Sequence, residues 1–228
     1  MLMIGDIDKI ILVYNTSLLI NPKNLYQIEG ININKKFAVI ISSNTFRGFH
    51  KINKKGKGCK YIAHDYFKSN QKRITEKLIS VKNREELDSF SDDLTNELKH
   101  KLTNIKKEKL TSYNKVRKLI DLYIEHLVLL SSNSSIPNRS ELLPILFIPL
   151  DQHILNKLRE ELKPEKIPSN PTMSSVTDKT MYDRIQMKLS DFCYQHNIPA
   201  PIALDLLWRN RYDQLGNDFM ELTLAATK

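Results

Sequence analysis

Lys115 and Asp151 stand 36 positions apart (151 − 115), and each opens an amphipathic stretch: Tyr113-Asn114-Lys115 leads into one, Phe147-Ile148-Pro149-Leu150-Asp151 into the next. An amine and a carboxylate brought to one cleft can break a glycosidic bond. That bond opens through an oxocarbenium-like transition state, whose positive charge a nearby carboxylate stabilises. A neutral amine can attack the anomeric carbon and form an imine, after which elimination of a 3′ phosphate would nick a nucleic-acid strand. An exposed lysine, with a pKa of about 10.4, is almost wholly protonated near neutrality, so such an amine has to be desolvated.

Each residue also has a plainer reading. Asp151, directly before Gln152-His153-Ile154, is a good helix N-cap, a role worth about 1 kcal/mol and compatible with catalysis because capping fixes the carboxylate. Lys115 could be an ordinary first-turn lysine of a surface helix. At about 100° per residue, the stripe Val116, Leu119, Ile120, Tyr123, Ile124 and Leu127 leaves Lys118 on the opposite side, in solvent. Lys115 falls at the margin of that stripe beside Leu122 and His126. It is therefore the better cleft candidate, and Lys118 is expected to be dispensable.

The elements that must position these groups read as helices, because apolar residues recur at three and four rather than at two. Ile7, Ile10, Ile11, Tyr14 and Leu18 suggest a first helix ending near Asn21-Pro22. Asn83 with Arg84-Glu85-Glu86 resembles a capping box, followed by the face Leu87, Phe90, Leu94, Leu98 and Leu102. A helix from about Ser112 to Leu130 carries Lys115, and another begins at Asp151 with Ile154, Leu155, Leu158 and Leu162. A later one carries Tyr182, Ile185, Leu189 and Phe192, and Ile198-Pro199-Ala200-Pro201 turns the chain into Ile202 to Trp208. The run at 36–42 fits either a minor strand or a buried helical turn. Polar linkers are expected at 131–139 and 163–176. The fold class is all-α, one domain over 1–228 with room for a second small lobe.

Composition narrows the partners. With 228 residues, 41% of them hydrophobic and 27% charged, the chain reads as an ordinary globular protein. No stretch of eighteen apolar residues occurs and Asp6, Asp8 and Lys9 break up the apolar start, so neither a membrane span nor a secretory signal is supported, and a cytoplasmic protein is expected. Cys59 and Cys193 have no metal-ligand spacing; reduced, partly buried thiols, no metal and no cofactor are the reading. The net charge of +9 points to a polyanion, since each phosphate neutralised releases counterions. Lys54, Lys55 and Lys57 in a loop with Gly56 and Gly58, together with Lys107 and Lys109, are candidate phosphate contacts. Lysines spread merely for solubility would account equally well for any one of these clusters.

Three segments carry a resemblance to a known family: Asn114-Lys115 heading an apolar helix, Phe147 to Asp151 heading the next, and Ile198-Pro199 through Leu204-Asp205 to Trp208. Together they resemble the helix-hairpin-helix DNA glycosylases, and within them the archaeal-type 8-oxoguanine glycosylases, over roughly the second half of the chain. The resemblance implies a two-lobed helical fold with a DNA-binding cleft into which a modified nucleotide is flipped. It assigns the nucleophilic amine to Lys115, the essential carboxylate to Asp151, and the grip on the base to Asp205 and Trp208. An extruded base needs an aromatic wall, which the sole tryptophan would supply, although a packed core tryptophan is the ordinary alternative. Arg209, and Arg211 after it, would meet phosphate.

The chain departs from the family at two places. The glycine-rich hairpin that binds phosphate before the lysine has no counterpart in Lys107-Glu108-Lys109-Leu110-Thr111-Ser112, and Asp205 and Trp208 stand closer together than is usual. The expected function is thus a monomeric glycosylase with AP-lyase activity on double-stranded DNA. Oxidised guanine, or a hypermodified base of phage DNA, would be removed in repair or in anti-phage defence. The competing class is a non-catalytic helical protein that binds nucleic acid on the same scaffold. A metal-dependent nuclease is disfavoured because Asp65 has no Glu-x-Lys partner.

Overall fold

A computed structural model describes residues 45–46, 49, 58, 59–102, 105, 110–130, 136–162, 167–198 and 200–208. The expectations for a helix at 7–18, for the run at 36–42 and for Lys54, Lys55, Lys57, Lys107, Lys109, Arg209 and Arg211 lie outside these residues, as does the side chain of Trp208. Among the described residues the fold is all-α, with seven α-helices and no strand. In chain order these are α1 (Cys59–Ser80), α2 (Arg84–Lys101), α3 (Tyr113–Leu130), α4 (Arg139–Leu142), α5 (Gln152–Leu162), α6 (Lys179–Gln195) and α7 (Ala203–Trp208). Short 3₁₀ turns occupy Leu143–Ile145 and Met173–Ser175.

Local chemistry sets the helix ends. Asn83 accepts a hydrogen bond from the Glu86 amide at 2.8 Å, and the Glu86 carboxylate reaches back to the Lys82 amide at 3.0 Å, one residue before the position a capping box uses. Asp178 caps α6 through the Met181 amide at 2.8 Å. The far end of α6 closes as a Schellman turn, with Ile198 N on Cys193 O (2.8 Å) and Asn197 N on Tyr194 O (3.3 Å). That turn requires a left-handed residue, and Asn197 at φ 54° supplies one that asparagine tolerates.

The apolar faces expected for α2, α5 and α6 are the buried ones: Leu87, Leu94, Leu98, Ile154, Leu155, Leu158, Tyr182 and Leu189 are all at most 1% exposed. They join one apolar cluster that runs from Phe46 to Leu204. Its centre is α3, which packs against α2, α4, α6 and the Met173–Ser175 turn. Every described side chain from Asn114 to Leu129 is buried. This corrects the expectation that Lys118 faces solvent, since Lys118 is 5% exposed. The physical reason is that α3 is wrapped on all sides, so an amphipathic phase has no solvent side to point at.

The connections between helices also bury structure. In the 163–176 connection, Val176 is fully buried and its carbonyl receives the Ser112 hydroxyl at 2.7 Å. In the other linker, Asn138 donates to Leu78 O at 3.1 Å and Arg139 to Leu129 O at 2.7 Å. The extended run from Leu146 to Leu150 is held by Gln186, which accepts from Ile148 N (3.1 Å) and donates to Ile148 O (2.7 Å). One side-chain amide thus does for this buried segment what a neighbouring strand would do.

Candidate active site

The start of α3 is tied down from two directions. Asn114, fully buried, donates from Nδ2 to Leu150 O at 2.9 Å and to Met173 O at 3.0 Å. The amides of Tyr113 and Asn114 donate to Thr177 O (2.9 Å) and Val176 O (3.4 Å). These amides would otherwise be the orphan donors that make a helix N-terminus an anion site. Here they are engaged internally, in keeping with the missing glycine-rich hairpin.

Asp151 caps α5 as expected. Its Oδ1 accepts from His153 N at 2.9 Å and from Ile154 N at 3.0 Å. Its Oδ2 faces Lys118 Nζ at 3.9 Å, with both side chains 7% exposed. That length makes the contact an ion pair rather than a hydrogen bond. Lys118, the lysine expected to be dispensable, is therefore in ionic contact with Asp151.

Lys115 lies one turn earlier on α3 and is 5% exposed. Its Nζ sits 5.1 Å from the ring centroid of Phe49, in cation–π range. Phe49 is 6.1 Å from Phe46, and Phe46 meets His64 edge-on at 5.8 Å. Burial pushes the Cys59 thiol up to about 12, opposed by the charge of Lys115, so Cys59 stays a neutral thiol and Lys115 lies within its electrostatic reach. Both cysteines are free and buried.

Asp205 is 1% exposed on α7, which packs against α5. Three segments singled out in the sequence are thus linked in space. Asn114 binds the carbonyl before Asp151, and the helix that Asp151 caps carries the helix of Asp205.

A larger charged cluster on α3 has no counterpart in the sequence reading. The Arg117 side chain is fully buried and contacts three carboxylates: Asp121 at 2.8 Å, Asp92 at 2.7 Å and Asp88 at 3.0 Å. Tyr182 donates to Asp121 at 2.7 Å, Tyr113 donates to Asp92, and Lys179 lies 2.5 Å from Asp88. The guanidinium also lies 4.8 Å from the Phe147 ring centroid and 4.9 Å from that of Tyr182. Burial opposes the charge on Arg117, but the charge and hydrogen bond of Asp121 beside it help to hold its pKa well above the ordinary value. Burial pushes Asp121 up to about 6, with Arg117 opposing. The cluster joins α2, α3 and α6. One signal was available in the sequence: from Leu119 to Leu130 the helix is apolar on almost every side, which marks a buried helix whose few charges must be paired.

A surface depression between α1 and α2, lined by Arg73, Phe90, Asn96, Glu97 and His100, holds none of the expected site residues. Among the described residues no group of three or more His, Cys, Asp or Glu side chains could hold a metal ion, and no helix is long and apolar enough to cross a membrane. Comparison with protein families, with curated proteins and with solved structures finds no match to this chain.

Proposed function

We propose that the protein is a DNA glycosylase with AP-lyase activity, which flips a modified base out of double-stranded DNA and excises it. The observation that carries this reading is a buried lysine amine 3.9 Å from a buried, capped carboxylate, with Lys115 one turn away on the same helix. The resemblance of Asn114-Lys115, Phe147 to Asp151 and Ile198 to Trp208 to the helix-hairpin-helix glycosylases adds to it.

In this reading Asp151 stabilises the oxocarbenium-like transition state. The neutral Lys115 amine attacks C1′ as the bond from C1′ to the base breaks, and the departing base takes up a proton; the C1′–O4′ bond then opens, O4′ taking the proton that the nitrogen gives up, to leave an imine. The resulting imine loses the 3′ phosphate by elimination, and water then releases the lysine. Burial of Lys115 supplies the desolvation that a neutral amine requires. Asp205 accepts hydrogen bonds from the flipped base, and Trp208 stacks on it. Oxidised guanine and hypermodified phage bases are the substrate classes, and the enzyme acts as a cytoplasmic monomer.

Borohydride trapping on duplexes carrying defined modified bases tests the proposal. A covalent adduct that disappears in Lys115→Ala is the expected result. Base release without an adduct would leave a monofunctional glycosylase. The second reading, a nucleic-acid-binding scaffold without catalysis, is favoured by the closure of the site, where Lys115, Lys118 and Asp151 are each 5% exposed. Tight duplex binding with no release from any modified base would select it.

A further inference from the structure

We infer that an exposed stripe of α1, formed by Tyr61, Lys68 and Lys72, is the surface that receives the phosphate backbone of duplex DNA beside Lys115. The inference rests on the DNA partner of the proposed function and names the face that meets it.

The stripe follows from helical geometry. At about 100° per residue, Tyr61, Lys68, Lys72 and Ile79 fall within about 40° of one another, and at 1.5 Å per residue they run about 27 Å along α1. All four are exposed, Tyr61 at 62% and Ile79 at 43%. Among the described residues Lys68 makes no ion pair. Lys72 reaches Glu76 at 3.8 Å, with the two side chains 89% and 64% exposed. A pair so open to water is weak, and a phosphate can take the place of the carboxylate.

The two flanks of the stripe differ. Asp65 and Glu76 lie on one side, whereas the other side carries Lys60, His64, Gln71 and Thr75 and no carboxylate. Lysine, glutamine, threonine and tyrosine are side chains that contact phosphate and sugar, and the first turn of α1 holds no acid to repel them. The acid-free flank also leads to the proposed site. His64 meets Phe46 edge-on at 5.8 Å, Phe46 lies 6.1 Å from Phe49, and the Phe49 ring centroid lies 5.1 Å from Lys115 Nζ. Cys59, the first residue of α1, lies within the electrostatic reach of Lys115. A strand laid along this flank therefore passes the aromatic pair beside Lys115.

An anionic membrane is the competing partner for a helix that exposes lysines and apolar residues. It fits less well, because an interfacial helix buries a continuous apolar face. Here the two apolar residues stand at opposite ends of the stripe, with the lysines between them.

Fluorescence anisotropy of a labelled duplex at several salt concentrations tests the inference. It compares the wild type with Lys68→Gln/Lys72→Gln and with Arg184→Gln/Lys188→Gln, which removes two exposed cations from α6. All four side chains are exposed, so neither variant touches the core. Loss of two phosphate contacts should lower the slope of log affinity against log salt by about 2 in the α1 variant, while the α6 variant keeps the wild-type slope. An equal fall in both variants, or an unchanged slope in the α1 variant, would overturn the inference and leave the glycosylase in place. Binding of the wild type to phosphatidylserine vesicles that the α1 variant loses, with its duplex affinity intact, would assign the stripe to a membrane and overturn the inference too. No duplex binding by the wild type would overturn the glycosylase reading and this inference with it. A duplex bound through α1, with no release of any modified base, would uphold the surface and reject the glycosylase.

Discussion

Lys118 Nζ lies 3.9 Å from Asp151 Oδ2, across the junction between the central helix α3 and the first turn of α5. The contact joins two segments 33 positions apart (151 − 118) and sits directly beside the hydrogen bond from Asn114 to Leu150 O. It makes Asp151 both a helix cap and half of a buried ion pair, and the two roles respond differently to substitution.

Asp151→Asn retains a good N-cap and the shape of the side chain but removes the charge. On the proposed glycosylase function it is expected to abolish turnover while sparing DNA affinity. Asp151→Ala loses the cap as well and should cost about 1 kcal/mol more in stability than Asp151→Asn. Urea unfolding of the two variants, with duplex binding measured on each, checks both statements. Equal stability of the two would mean that the cap is not used in solution.

Arg117 offers a larger effect. Removing one partner of a buried charged cluster leaves the others uncompensated, so Arg117→Ala should destabilise the protein by about 3–5 kcal/mol. Arg117→Lys should rescue little of this, because a point charge on a flexible stem cannot meet Asp88, Asp92 and Asp121 together. Chemical denaturation provides the measurement. A lysine variant as stable as wild type would show that charge alone, rather than the planar fork, holds α2, α3 and α6 together.

Asp121 gives the stability a sign with pH. Burial raises its folded-state value from 3.8 to about 6, so the folded protein binds the proton more tightly than the unfolded chain. The contribution of this group is fully present below 3.8 and is lost as pH rises through about 6. The stability of wild type relative to Asp121→Asn should therefore increase on acidification from neutrality towards pH 3.8. Thermal unfolding of both proteins across that window tests it, and a pH-independent difference would refute the assignment.

If the proposed function holds, duplex binding should weaken steeply with salt, because a chain of net charge +9 would release counterions from each phosphate it neutralised. Fluorescence anisotropy titrations at several salt concentrations measure the slope. A flat response would count against a nucleic-acid partner altogether.

Much of this architecture was legible before any coordinates. The periodicity of Leu87, Phe90, Leu94 and Leu98, the caps at Asn83 and Asp151, and the burial of Leu142, Leu143 and Leu146 to Leu150 follow from local rules: apolar spacing selects a face, and a short polar side chain before a helix satisfies its first amides. The orientation of the charged residues on α3 was not legible. A helical wheel assumes one solvent side, whereas α3 has none, so Lys118 could be placed only once α5 was seen packed beside it. Arg117 likewise reads as a surface arginine until α2 and α6 bring Asp88, Asp92 and Tyr182 around it. Local sequence determined where α2, α3, α5 and α6 start, but not α1, whose buried positions Cys59, Ala63, Tyr66, Phe67, Ile74 and Leu78 carried no expectation of a helix. Only the tertiary structure decided which charges meet, because partners remote in the chain, not neighbours along it, determine where a buried charge can rest.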